Sequence, residues 1–327
     1  MQIAVPLRSP DEVERLVRAG ADEFYAGVMD DPSSGYCPNA RPMPSSNLRS
    51  FEDLKESVAR AGSAGVPVMF CANAPLAGWQ ADRLKADVLR ACEAGVAGII
   101  TAEPSMLPWL ARRAPGLTIT AGTLAGTFNS LAVDFLAGAG AARVVLDRLL
   151  TLTEIGRLAA HAAERGVQLE AFVADIGCVH VNAVCLFHQW SAAVSEGGGG
   201  HPKAAACRVR MPLSVWERSG ELFSRRVPGH EYAAADPWTY CATCSLFHLH
   251  RCGIAVAKII GRHRPLEALA SQVAMVKAYL RLLDQGELDA SNYVAAGRRL
   301  HREHLGSACD ASRCFYHEVR RDLRGGA

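Results

Sequence analysis

The segment Ala142–Ile176, "ARVVLDRLLTLTEIGRLAAHAAERGVQLEAFVADI", decides the fold. It opens with a short β-branched run, "ARVVLDR", and closes with another, "QLEAFVADI". Between them, "TLTEIGRLAAHAAERG" spaces its apolar residues as an amphipathic helix and ends in a basic residue followed by glycine. A strand, a helix and a strand joined by connections of a few residues make a parallel pair with a right-handed crossover.

The same unit recurs in both directions. Strands are expected at "QIAVPL" from Gln2, "EFYAGV" from Glu23, "VPVMFCANA" from Val66, "AGIITAE" from Ala97, "LTITAG" from Leu117 and "IAVAKIIG" from Ile254, which with the two above makes eight. "SPDEVERLVRAG" supplies Ser9 as N-cap, Pro10 at the first helical position, early acids and Gly20 past the end. "SFEDLKESVARAG" follows the same scheme. Eight βα units predict a closed α/β fold, a (β/α)8 TIM-like barrel, because eight parallel strands can close without leaving an edge. An open doubly wound sheet is the competing fold, but "RSPDE" follows the first strand where that fold normally carries a glycine-rich phosphate loop. We expect residues 1–290 to form the barrel and 291–327 a C-terminal helical tail.

One interruption breaks the pattern, an insertion over residues 178–240 after the seventh strand that contains "SEGGGGHPKAAACRVR". Loops that follow barrel strands build the active face, so this cysteine-bearing excursion belongs there. Cys178 and Cys185 open it with six residues between them, Cys207 lies inside, and "YCATC" brings Cys241 and Cys244 at its end. Four thiolates converging on one rim suit an iron–sulfur cluster or a structural zinc, and the wide spacing leans toward the cluster. Cys71, Cys92 and Cys252 read as packing residues, and Cys37 is equally an exposed thiol or a site residue. For Cys309 and Cys314, in "CDASRCFYH", a solvated tail is preferred over a redox pair or a ligand role.

The chain of 327 residues has 50% hydrophobic and 21% charged residues and a formal charge of +2, the balance of a soluble enzyme rather than a disordered chain. That charge gives no field of the kind a dedicated nucleic-acid binder shows, so nucleic acid is left open as a partner but not indicated. With no apolar run of membrane-spanning length and no leader pattern, a cytoplasmic location without membrane association is expected. Eleven cysteines in such a compartment argue against disulfides.

Polar residues at the predicted strand ends are Asn73, Glu103, Arg148, Lys258 and Arg262, with His180 and His188 beside the cysteine pair. At this edge of a barrel they are candidate catalytic residues, and His180 suits proton transfer. The alternative is that Arg148 and Lys258 neutralise Asp175 or Glu103 inside the barrel.

Three blocks give the chain a family likeness: "FNSLAVDFLAGAGAARVVLDRLLTLTEI", "LEAFVADIGCVHVNAVC" and "CATCSLFHLHRCGIAVAKIIGR". Together they resemble peptidase family U32, which includes ubiquinone-pathway and RNA-hydroxylating proteins. The resemblance implies a barrel-like fold and a four-iron four-sulfur cluster. Cys178, Cys185 and Cys241 fall on family ligand positions and Cys207 in the region of another, with Cys244 as an alternative to Cys241. It further implies oxygen-independent hydroxylation with prephenate as oxygen donor, a dicarboxylate for which Arg148, Arg262 and Lys258 are the candidate partners; the departures from the family lead us to expect a small aromatic or polyketide-like substrate, handled alone or with a paralogous subunit as a heterodimer. RNA as substrate, or metal-dependent peptidase activity, are the lesser alternatives; neither a G-x-S-x-G elbow nor an H-E-x-x-H helix occurs. Where the family carries S-G-R before its second cysteine, this chain has "NAV".

Overall fold

A computed structural model describes residues 1–31, 36–39, 44–74, 78–178, 181–185, 211–215, 225–232 and 235–320. For residue 79, residues 175–178 and the strand residues within 211–239, only the backbone path is described.

Eight parallel strands close into a barrel. In chain order they are β1 (Gln2–Pro6), β2 (Glu23–Ala26), β3 (Val68–Ala72), β4 (Gly98–Thr101), β5 (Thr118–Ala121), β6 (Arg143–Val145), β7 (Gln168–Cys178) and, after the insertion, β11 (Val256–Ile259). Each pairs in parallel with the next, β7 with β11, and β11 with β1, which completes the ring. All eight expected strands are present, and closure removes the open-sheet alternative.

Between them run α1 (Val13–Ala19), α2 (Phe51–Ser63), α3 (Ala81–Glu93), α4 (Met106–Arg113), α5 (Ser130–Gly138), α6 (Leu152–Glu164) and α7 (Leu246–Arg251), followed by α8 (Leu266–Asp284) and α9 (Tyr293–Leu305). Local sequence explains their ends. Ser9 caps a 3-10 turn over Pro10–Glu12 that leads into α1, and Gly20 closes α1 at φ 110°, where a side chain would be strained. Thr151 and Glu154 form a reciprocal capping box at α6. The second helix departs from expectation by running through Gly62 to Ser63.

Two apolar layers result. Leu16, Leu54, Leu84, Leu110, Leu136 and Leu158, one from each of the first six helices, are buried between helices and strands. A smaller cluster of Ala4, Tyr25, Met69, Cys71, Ile100 and Val256 fills the barrel interior.

Within the insertion, β8 (Met211–Val215) and β9 (Arg225–Tyr232) form an antiparallel pair. The strand β10 (Ala235–Cys241) then adds antiparallel to the rim end of β7. Residues 291–320 are no solvated tail. Tyr293, Leu300, Cys314, Tyr316 and Val319 belong to the main core, and the Tyr316 hydroxyl donates to Phe172 O at 3.1 Å. The reason is physical: α8 packs on β1, α1 and the short α7, α9 packs on α8, and the segment after α9 meets β10 and Phe172 of β7, so each buries apolar side chains.

Candidate functional site

The carboxyl ends of the barrel strands carry the polar residues expected to act, and the structure divides them into those with structural partners and those without. Lys258 on β11 is paired. Its ammonium contacts the fully buried Glu170 carboxylate and lies 4.1 Å over the Tyr25 ring. Arg143 joins the same group, 2.7 Å from Glu23 and 3.5 Å from Glu170. Burial still pushes the Glu23 carboxyl above its ordinary range, against the pull of Arg143. Lys258 thus neutralises Glu170, and its charge serves the barrel interior; the Asp175 side chain lies outside the described residues.

Glu103 is also engaged locally. Its carboxylate accepts from Ser105 N at 3.3 Å and Ser105 Oγ at 2.9 Å, at the start of α4. Arg148 lies with its guanidinium carbon 4.8 Å over the Phe172 ring.

Arg262 differs. Its Nη2 donates to Cys71 Sγ at 3.1 Å and its guanidinium carbon stands 5.2 Å over Tyr25. Its Nη1 is buried with no hydrogen-bond partner among the described residues. Asn73 Oδ1, beyond β3, is buried and unpartnered in the same sense. It abuts Gly122, where an added Cβ would stand 2.4 Å from that oxygen. A buried guanidinium N–H without an acceptor is costly unless something on the mouth side accepts from it. The loop carrying Arg262 is fixed by Arg8, whose Nη1 donates to Arg262 O at 3.0 Å and Arg264 O at 2.6 Å while Glu12 holds its other edge.

The cysteine loop follows β7, the strand next to β11 in the barrel. Asp147, just past β6 and buried, accepts at Oδ2 from Asn182 N at 3.1 Å and Asn182 Nδ2 at 3.2 Å. The same Nδ2 reaches Thr123 Oγ1 at 3.3 Å. Asn182 opens the 3-10 turn Asn182–Val184, and Cys185 N closes it on Asn182 O at 3.2 Å. The "NAV" sequence is therefore an anchor that sets the position of the buried Cys185. Gly126 leaves room for it, since a Cβ there would approach Ala183 Cβ to 2.9 Å.

Sequence reasoning overlooked Asp147, Asn182, Arg8 and Glu170. Asp147 sits beside Arg148 in the strand-end motif and was legible as a second polar residue there; the partnership of Asn182 with it was not. Cys178 ends β7, but only its backbone is described, while Cys207, His180 and His188 lie outside the described residues. Cys37 is buried with its Sγ 3.2 Å from Asn39 Oδ1, so it is no exposed thiol. Cys71 and Cys92 pack in or against the core as expected, although Cys71 also meets Arg262.

A family model for peptidase family U32 matches residues 8–320. The chain belongs to peptidase family U32. Among its relatives is the tRNA hydroxylation protein P1 of Bacillus subtilis (strain 168), 25% identical over 295 residues, which are 90% of this chain; the chain spans 65% of that relative's length. Among solved structures, the U32 peptidase Mk0906 superposes with a TM-score of 0.50 at 15% identity over 81% of this chain and 95% of its own, which supports the U32 barrel fold. Among the described residues no helix is long and apolar enough to cross a membrane.

Proposed function

We propose that this U32 chain is a hydroxylase-type enzyme that binds a carboxylate-bearing small aromatic or polyketide-like molecule at the barrel mouth, with an iron–sulfur cluster on the rim loop after β7. The observation that carries the reading is Arg262, a half-buried cation whose loop is held by Arg8 and whose buried Nη1 has no acceptor among the described residues. A carboxylate is the complementary acceptor, and a bond to it is charge-assisted. Tyr25 gives the guanidinium an aromatic floor, and Asn73 adds a second polar contact beside it.

The described cysteines suit a cluster on this rim. Cys185 is buried on a loop tied down by Asp147, and Cys178 ends the strand that leads into that loop. Cys178, Cys185 and Cys207 would hold it, with the fourth position falling to Cys241 or Cys244 by sequence. Such a cluster supplies one-electron chemistry or a Lewis-acidic iron. The name of the Bacillus relative favours hydroxylation, and prephenate, a dicarboxylate, is the oxygen donor we propose for Arg262. RNA is the second reading, favoured by that relative's name and opposed by a formal charge of only +2.

Anaerobic purification, with iron and sulfide quantified, tests the cluster; a chain lacking both, whether prepared with or without air, overturns it. Calorimetric titration with prephenate tests the pocket, with binding expected in the wild type and lost in Arg262→Met. A purified chain that is inactive alone but active with a paralogous U32 chain marks a subunit of a heterodimer rather than a complete enzyme. Binding of tRNA with no binding of small carboxylates would favour the RNA reading.

A further inference from the structure

Gly261 sets Arg262 over the barrel. It takes φ 126°, a left-handed value in which a side chain would be strained, and turns the chain just past β11, where Arg264 N closes the turn on Gly261 O at 2.8 Å. Arg8 then holds the main chain at Arg262 O and Arg264 O. The guanidinium placed in this way reaches inward to Cys71 on β3, which is 1% exposed and belongs to the cluster inside the barrel. Arg262 Nη2 donates to Cys71 Sγ at 3.1 Å. The other members of that cluster, Ala4, Tyr25, Met69, Ile100 and Val256, surround the thiol with apolar groups, and the Tyr25 hydroxyl donates to Ile259 O at 2.8 Å.

The two terminal nitrogens of Arg262 are therefore served unequally. Nη2 has a sulfur, which is a weak acceptor. Nη1 is buried and has no acceptor among the described residues. A carboxylate suits both nitrogens at once, because its two oxygens match the two terminal N–H groups of a guanidinium. Hydrogen bonds between ionised partners are about twice as strong as neutral ones. A thiol in the same seat cannot hold Nη2 against that competition.

We propose that Cys71 is a placeholder in the carboxylate subsite: it holds Arg262 Nη2 in the free protein and yields it when a ligand carboxylate engages Nη1 and Nη2 together. This rests on the carboxylate reading of Arg262 and adds how the ligand is gripped and what it displaces. The thiol keeps the guanidinium oriented between ligands at a small cost of displacement. An acidic side chain in its place would fill the fork permanently and repel the ligand. The arrangement selects a carboxylate over its ester or amide, which carries no charge and cannot match both nitrogens equally. Cys71 acts through Arg262, so it is a positioning residue.

Calorimetric titration of the full-length wild type, Cys71→Ala and Cys71→Asp with prephenate tests this, together with infrared difference spectra of the thiol S–H stretch on adding prephenate. Cys71→Ala should bind about two- to fivefold more tightly, because no N–H···S bond has to be given up, although loss of the buried sulfur lowers its thermal midpoint. Cys71→Asp should bind about 100-fold more weakly, its own carboxylate occupying the fork. In the wild type the S–H band should shift on binding, and the shift should be missing from Cys71→Ala. Binding that weakens in Cys71→Ala together with the thermal midpoint makes Cys71 a packing residue and overturns the proposal. An S–H band that stays in place, or unchanged binding by Cys71→Asp, also overturns it and leaves the carboxylate on Nη1 alone. A wild type that binds no prephenate fails the carboxylate reading itself, and this proposal with it. Should the Cys71 variants not fold, the wild-type S–H band decides, with Arg262→Met as the blank.

Discussion

At the scale of single residues, two side chains define the mouth of the barrel by opposite logic. Asp147 has its acceptors occupied by Asn182 and Leu149. Replacing it with alanine leaves the Asn182 donors buried and unpaired, at a cost of about 1–3 kcal/mol. Urea denaturation should show that loss, and the cysteine loop should become more accessible to alkylation at Cys185. Arg262 Nη1 has no acceptor among the described residues. Arg262→Met should weaken binding of an arylpyruvate or prephenate probe about 10- to 100-fold, equivalent to the roughly 1.5–3 kcal/mol of a hydrogen bond to a charged group, while the thermal midpoint hardly moves. Equal losses of binding and stability would assign Arg262 to the scaffold. Both residues stand at strand ends in the sequence, but only contact geometry shows which one is satisfied.

At the scale of elements, the barrel depends on where its helices start. The α6 capping box is local, so it is readable as a chain pattern and testable alone. Thr151→Ala should cost about 1 kcal/mol and lower the thermal midpoint accordingly. Hydrogen bonds from the Thr151 backbone and hydroxyl hold the Glu154 carboxyl below its usual range. A depressed acid contributes stability that is present above its unfolded pKa and is lost as pH falls through its folded one. In acid titrations followed by circular dichroism, Glu154→Gln should flatten that part of the stability curve and leave the neutral-to-alkaline part unchanged in shape. The second helix shows the limit of local reading: Gly62 resembles a stop signal, yet α2 continues to Ser63, and the left-handed glycine that follows it is Gly65, at φ 71°.

At the scale of the whole molecule, the barrel interior holds Lys258, Glu170, Arg143 and Glu23 as one buried charge group. Removing one partner leaves others uncompensated, so Glu170→Gln should destabilise by about 3–5 kcal/mol in urea, and Lys258→Met/Glu170→Met by much less. A larger loss in the double variant would show that the pair is favourable beyond mutual neutralisation. The strand count, the barrel class and the place of the insertion were legible, because hydrophobic periodicity and helix capping act between residues close in the chain. The cysteine pair Cys178 and Cys185 and the cation Arg262 were legible as rim residues for the same reason. The fate of Lys258 was not, since its partner Glu170 is 88 residues away.

The sequence by itself determined a parallel barrel with eight βα units and a cysteine-bearing excursion on its active face, since each unit is specified by contacts within some 30 residues of chain. Only the tertiary structure decided how that rim is shared out. It closed β11 onto β1, locked Asn182 onto Asp147, left one Arg262 donor without an acceptor among the described residues, and brought Cys314 from a segment expected to be solvated to the side of Cys241. These pairings join segments tens to hundreds of residues apart, and no local propensity encodes them; burial of apolar surface brings the segments together, and the polar groups must then find partners where packing has placed them.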